Sequence, residues 1–157
     1  MNFVTDKIDN YVPIKFANGK YIISWGLEKN KDGSYSWKYF FATKKPTPAE
    51  IKNILDAYIN DNTKNSIINN FYWNGMHVYL SIENQIDYKL LFDITTLCGG
   101  ENLPEKIKFN INGETIYYEF ETLDEFTSFM IAMNKHIRTC LAKGNELKDS
   151  IDYTQYE

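Results

Sequence analysis

Arginine is almost missing from this sequence: Arg138 is the single one among 17 basic residues in a chain of 157. Bidentate recognition of phosphates and base edges leans on arginine, and the formal net charge is −4, so the composition argues against a nucleic-acid partner. Cysteine is as scarce. Cys98 and Cys140 are the only thiols, neither in a ligand-spaced pair, and their apolar flanks predict a reduced, buried pair in a cytosolic protein. No apolar run approaches the roughly 20 residues of a membrane span, and Asp6, Lys7 and Asp9 predict no secretory signal.

Histidine occurs twice, at His77 and His136, with no zinc-protease spacing, cysteine pair or calcium loop nearby. His136 borders an apolar helical stripe and reads as a core-edge residue. Nothing local depresses a thiol pKa, so a histidine–cysteine nucleophile is not expected. No glycine-rich phosphate loop exists either, because Gly99-Gly100 follows a helix instead of opening one. Asp124 and Glu125 are explained by a helix dipole. The sequence therefore predicts no catalytic residue, no metal site, no cofactor and no membrane partner.

What is present is apolar and aromatic. Hydrophobic residues make 43% of the chain and aromatic ones 16%, enough for a real core and too much for a disordered polymer. One plan recurs three times: two strands, a turn, then a helix. Lys20–Glu28 and Tyr35–Thr43 flank Asp32-Gly33, and Tyr35, Trp37, Tyr39 and Phe41 alternate along the second run as a half-buried strand. Thr47-Pro48-Ala49-Glu50 is a capping box opening a helix whose stripe is Ile51, Ile54, Leu55, Tyr58 and Ile59. Asn60 to Asn70 is polar and predicts a turn followed by a short helix.

The second unit turns on Asn74-Gly75, between Phe71-Tyr72-Trp73 and a strand from Met76 to Leu80. On that strand Met76, Val78 and Leu80 share one face, His77 and Tyr79 the other. Ser81 caps a helix with the stripe Ile86, Leu90, Leu91, Ile94 and Leu97, ended by Gly99-Gly100. In the third unit Ile107, Phe109 and Ile111 face Ile116, Tyr118 and Phe120 across Asn112-Gly113. Thr122 and Glu125 then open a long C-terminal helix with the stripe Phe126, Phe129, Met130, Met133, Ile137, Cys140 and Leu141. The result is an α+β fold: an antiparallel sheet packed by amphipathic helices. An N-terminal hairpin segment, 1–46, precedes an α+β region, 47–157, the two forming one compact unit.

The run from Phe71 to Lys89 resembles a motif in small proteins of tailed bacteriophages and prophages, nearest those of gut Bacteroides-type hosts. Leu147–Tyr153 resembles that group's C-terminal helix, and the likeness covers roughly Thr47 to Glu157. The group is a domain family of unknown function, encoded near tail-fibre genes and loosely linked with tail-fibre assembly proteins. The resemblance implies a virion or virion-assembly role, in the particle or in the host cytoplasm during assembly. It carries over no enzymatic residue.

Caps and stripes leave some residues over. Gln85, Tyr88 and Lys89 on the second helix, and Tyr72, His77 and Tyr79 on the hairpin before it, are candidates for partner binding. The tail from Asn145 has only Leu147, Ile151, Tyr153 and Tyr156 as anchors, which predicts that it docks, through Tyr153 and Tyr156, on a neighbouring subunit or partner more than on its own domain. Together these readings predict a non-enzymatic virion accessory or tail-fibre assembly protein, contacting phage tail, fibre or neck proteins or a second copy of itself. The alternative is a prophage-encoded binder or inhibitor of a host protein or small molecule.

Overall fold

The computed structural model describes residues 1–111 and 113–157. The fold is α+β; the described residues form three α-helices, two short 3-10 turns and two antiparallel four-stranded sheets where the sequence suggests one. Contacts divide the chain into two compact units: Met1–Tyr58 with Leu147–Glu157, and Ile59–Glu146. The division thus falls inside a helix instead of at residue 46. The capping box at Thr47 starts a helix without starting a new core, because Ile51 and Leu55 are fully buried with the N-terminal strands' Ile23 and Trp25.

In the first unit β1 (Asn2–Asp6), β2 (Ile14–Ala17), β3 (Lys20–Lys29) and β4 (Tyr35–Ala42) lie in the order β1-β4-β3-β2. The sequence predicts only the β3–β4 hairpin; β1 and β2 are short, largely exposed edge strands with no clean alternation. Trp25 packs edge-on against Tyr58, with Lys38 Nζ 5.0 Å from its ring. The predicted aromatic face of β4 is used unevenly: Trp37 is buried against Tyr11, whereas Phe41 is half exposed. Helix α1 (Pro48–Asn69) begins at the predicted box. Glu50 Oε2 accepts from the Thr47 N–H at 2.7 Å, and the Glu50 N–H donates to Thr47 Oγ1 at 3.3 Å. The Thr47 backbone and hydroxyl donors hold the Glu50 carboxyl below its usual range. α1 does not break at Asn60. Ile59, Thr63, Ser66 and Ile67 keep a sheltered stripe through the polar stretch, and packing overrides weak propensity.

The second unit holds β5 (Phe71–Trp73), β6 (Met76–Val78), α2 (Ile82–Leu97), β7 (Glu105–Ile111), β8 (Glu114–Phe120) and most of α3 (Leu123–Asp149). The strands run in sequence order, and Asn74 and Gly75 both take positive φ, 48° and 79°, as the predicted two-residue turn demands. Asn112, half of the other predicted turn, lies outside the described residues. Phe71, Val78, Ile107, Phe109 and Phe120 form the sheet's inner face, against which α2 sets Tyr88 and α3 sets Phe126, Phe129 and Met133.

Helix α2 is rotated from its predicted setting. Ile86 is 60% exposed, Leu90 57% and Leu97 87%, with Ile82 and Ile94 on the same outer stripe. Tyr88 and Thr95 are buried instead, with Leu91 and Phe92 partly so. Two apolar stripes compete on this helix. The one bearing Tyr88 and Phe92 faces inward because its rings meet Phe129 and Phe126 at 5.7 and 5.3 Å. At the helix end Cys98 follows the outer stripe and is exposed, against expectation; Cys140 is half buried, and both thiols are free.

Gly144 does not interrupt α3; it is buried where the helix passes α1. A Cβ there meets the Thr63 side chain, its Cγ2 at 3.3 Å and its Oγ1 closer still. Gly144→Ala should therefore lower stability by about 1–3 kcal/mol through overpacking, exceeding the roughly 1 kcal/mol gained in helix propensity. Adding Thr63→Ala should restore most of the loss, as read from a double-mutant cycle of urea unfolding curves. Equal stability of Gly144→Ala and the parent would disprove the close approach.

Candidate functional site

Strand alternation in the second unit leaves one broad face of its sheet bare. Because Phe71, Val78, Phe109 and Tyr118 point inward, Tyr72, His77, Lys108 and Tyr117 point outward, paired Tyr72↔His77 and Lys108↔Tyr117. Tyr72 is 61% and Tyr117 69% exposed, and Tyr79, the residue after β6, is half exposed. A shallow hollow of about 270 Å³ lies among Tyr72, Gly75, His77, Asn110, Ile111 and Gly113. Three tyrosines with an imidazole make a rigid surface that is apolar in its rings and polar at its tips.

His77 is fixed from behind. Its Nε2 lies 2.8 Å from the Asn69 carbonyl, so this nitrogen carries the hydrogen, and its ring sits 5.4 Å from that of Tyr72. His136 does the same on α3, with Nε2 at 3.3 and 3.2 Å from the Ser66 and Ile67 carbonyls. Both histidines thus reach carbonyls in the last turn of α1, His77 that of Asn69 and His136 that of Ile67 and of Ser66, which also accepts from the Asn70 N–H at 3.2 Å. Cys140 Sγ lies 3.8 Å from His136 Nε2. That nitrogen directs its hydrogen at carbonyls and has no lone pair to take the thiol's proton. Among the described residues no group of three or more His, Cys, Asp or Glu is placed to hold a metal, and no helix is long and apolar enough to cross a membrane.

The other candidates separate. Gln85 is half buried and its Nε2 donates to the Leu80 carbonyl at 2.8 Å, which ties down the loop before α2. Lys89 is exposed and pairs with Asp93 at 2.5 Å. Tyr88 is not a surface residue: it is 7% exposed, and burial pushes its hydroxyl up to about 12. Tyr153 and Tyr156 belong to their own fold. Tyr156 is 1% exposed and its hydroxyl donates to the Ser24 carbonyl at 2.8 Å, while Tyr153 lies half buried under Lys52 Nζ. Burial raises the hydroxyl pKa of both. The four anchors of the tail suffice because they join an existing core instead of making one.

Two surface features were missed. Tyr117 was legible from its place between the inward Ile116 and Tyr118. The outer stripe of α2 was legible only as a stripe, with the wrong sign. Beside it, a groove of about 910 Å³ runs between α2 and α3, with the partly buried Phe92 and Met130 as floor and the exposed Ile131, Lys135 and Arg138 along its rim. Comparison with protein-family models, curated proteins and solved structures finds no match.

Proposed function

We propose that this chain is a non-enzymatic protein-binding accessory of a tailed-phage particle or of its tail-fibre assembly. The observation that carries the binding role is the open sheet face with Tyr72 and Tyr117 projecting from strands held by the core beneath, and the half-exposed Tyr79 just past the end of β6. Tyrosine concentrates in protein interfaces because two torsions order a large contact area. The phage setting rests on the resemblance of Phe71–Lys89 and Leu147–Tyr153. The partner is a tail, fibre or neck protein, met in the virion or in the host cytoplasm during assembly.

Mass spectrometry of purified particles, with affinity capture from infected cells, tests both parts. Stoichiometric presence supports a virion component, and co-purification of a fibre protein without incorporation supports an assembly factor. Recovery of a host protein alone overturns the phage role in favour of a host-directed binder. The double variant Tyr72→Ala/Tyr117→Ala should weaken capture by roughly 30-fold or more, the loss of about 2 kcal/mol at an interface hot spot. Its stability should stay within about 0.5 kcal/mol of the parent, because both side chains are exposed. Undiminished capture would remove this face from the interface.

A further inference from the structure

We propose that the α2/α3 face of the second unit binds a second copy of this chain, so that α2 of each protomer seats on α3 of the other. The outer stripe Ile82, Ile86, Leu90, Ile94 and Leu97 spans the whole of α2. An unbroken helical stripe of branched aliphatic residues in water is a surface built to be covered. Next to it, Ile131 of α3 is 64% exposed above the groove floor of Phe92 and Met130.

Charge selects the occupant. Helix α2 carries Glu83, Asp87 and Asp93 against one lysine, Lys89. From Phe126 to Asn145, α3 has Lys135, Arg138 and Lys143 and no acidic residue. The chain is acidic overall, yet its sole arginine stands on this face. Within one protomer these charges are not exchanged between the two helices: among the described residues no ion pair joins α2 to α3, and the one acid of α2 in an ion pair, Asp93, meets Lys89 of its own helix at 2.5 Å. A two-fold axis running between the helices sets the acidic, apolar α2 of one copy over the basic, apolar stretch of α3 from Phe126 to Asn145 in the other, twice. That is the self-complementarity an isologous dimer requires. The inference does not depend on the phage setting and uses none of Tyr72, Tyr79 or Tyr117.

The test uses the full chain and charge reversal. In sedimentation equilibrium the parent should run at twice the chain mass at micromolar concentration. Lys135→Glu/Arg138→Glu and Asp87→Lys/Asp93→Lys should each weaken self-association by at least about tenfold, since each sets like charges face to face. Mixing the two variants should restore a heterodimer, because the acidic α2 of the first then meets the intact basic α3 of the second, and the basic α2 of the second meets the reversed α3 of the first. Restoration needs both variants folded, so a folding defect cannot imitate it. A parent that stays monomeric at 100-fold higher concentration overturns the proposal and leaves the stripe to a different protein. So does a dimer that neither reversal weakens, or a mixture that fails to associate.

Discussion

Replacing Phe129 by alanine should lower the unfolding free energy by about 3–5 kcal/mol, the largest loss expected of a single substitution in the second unit. The ring is fully buried and meets six others: Phe71, Trp73, Tyr88, Phe109, Phe120 and Phe126, at centroid separations from 5.2 to 6.3 Å. These rings come from β5, α2, β7, β8 and the first turns of α3, so no one element can move to fill the space left behind. The cavity term is therefore near its upper range. Against a total of roughly 5–15 kcal/mol, the variant is expected to be partly unfolded at 37 °C. Phe129→Leu keeps most of the volume and should cost less than half as much. Urea unfolding curves decide the matter, and a loss under about 1 kcal/mol for the alanine variant would mean that the cluster is not the core of this unit.

The parts of this fold that were legible in the sequence are those fixed by neighbours in the chain. Asn74-Gly75 dictates its turn from two residues, and Thr47 with Glu50 dictates a helix start from four. Outward Tyr72, His77 and Tyr79 followed from alternation around Phe71, Val78 and Leu80. Where two local answers compete, distant residues decide. On α2, periodicity supports both Ile82-Ile86-Leu90-Ile94 and Tyr88-Leu91-Phe92-Thr95, and only the rings of α3 make the second the inner face. Tyr88 was misplaced for the same reason. Tyr156 is a sharper case, because its acceptor Ser24 lies 132 residues away and no window of sequence contains both.

That distant contact reverses the sequence-based expectation for the tail. Deletion of Asp149–Glu157 should lower stability by about 3–5 kcal/mol, on the scale of losing one fully buried aromatic side chain. Tyr156 fills the first unit's core, and its hydroxyl donates to the Ser24 carbonyl on the middle strand β3. Tyr11 flanks this bond: its hydroxyl donates to Gln155 Oε1 at 3.0 Å and lies 3.4 Å from the same carbonyl. Removing the tail strips Tyr11 of Gln155 and opens the strands to water beside Trp37, against which Tyr11 packs at 5.6 Å. Tyr156→Phe isolates the hydroxyl and should cost about 1 kcal/mol, because the ring stays and only one hydrogen bond is lost. Tyr156→Ala should approach the full deletion. Tryptophan fluorescence reports the first unit through Trp25 and Trp37, both buried there. A melting midpoint lowered by roughly 10 °C in the deletion is the expected reading. If the midpoint is unchanged while self-association weakens, the tail serves an interface after all, and the Tyr156–Ser24 contact contributes nothing to the fold.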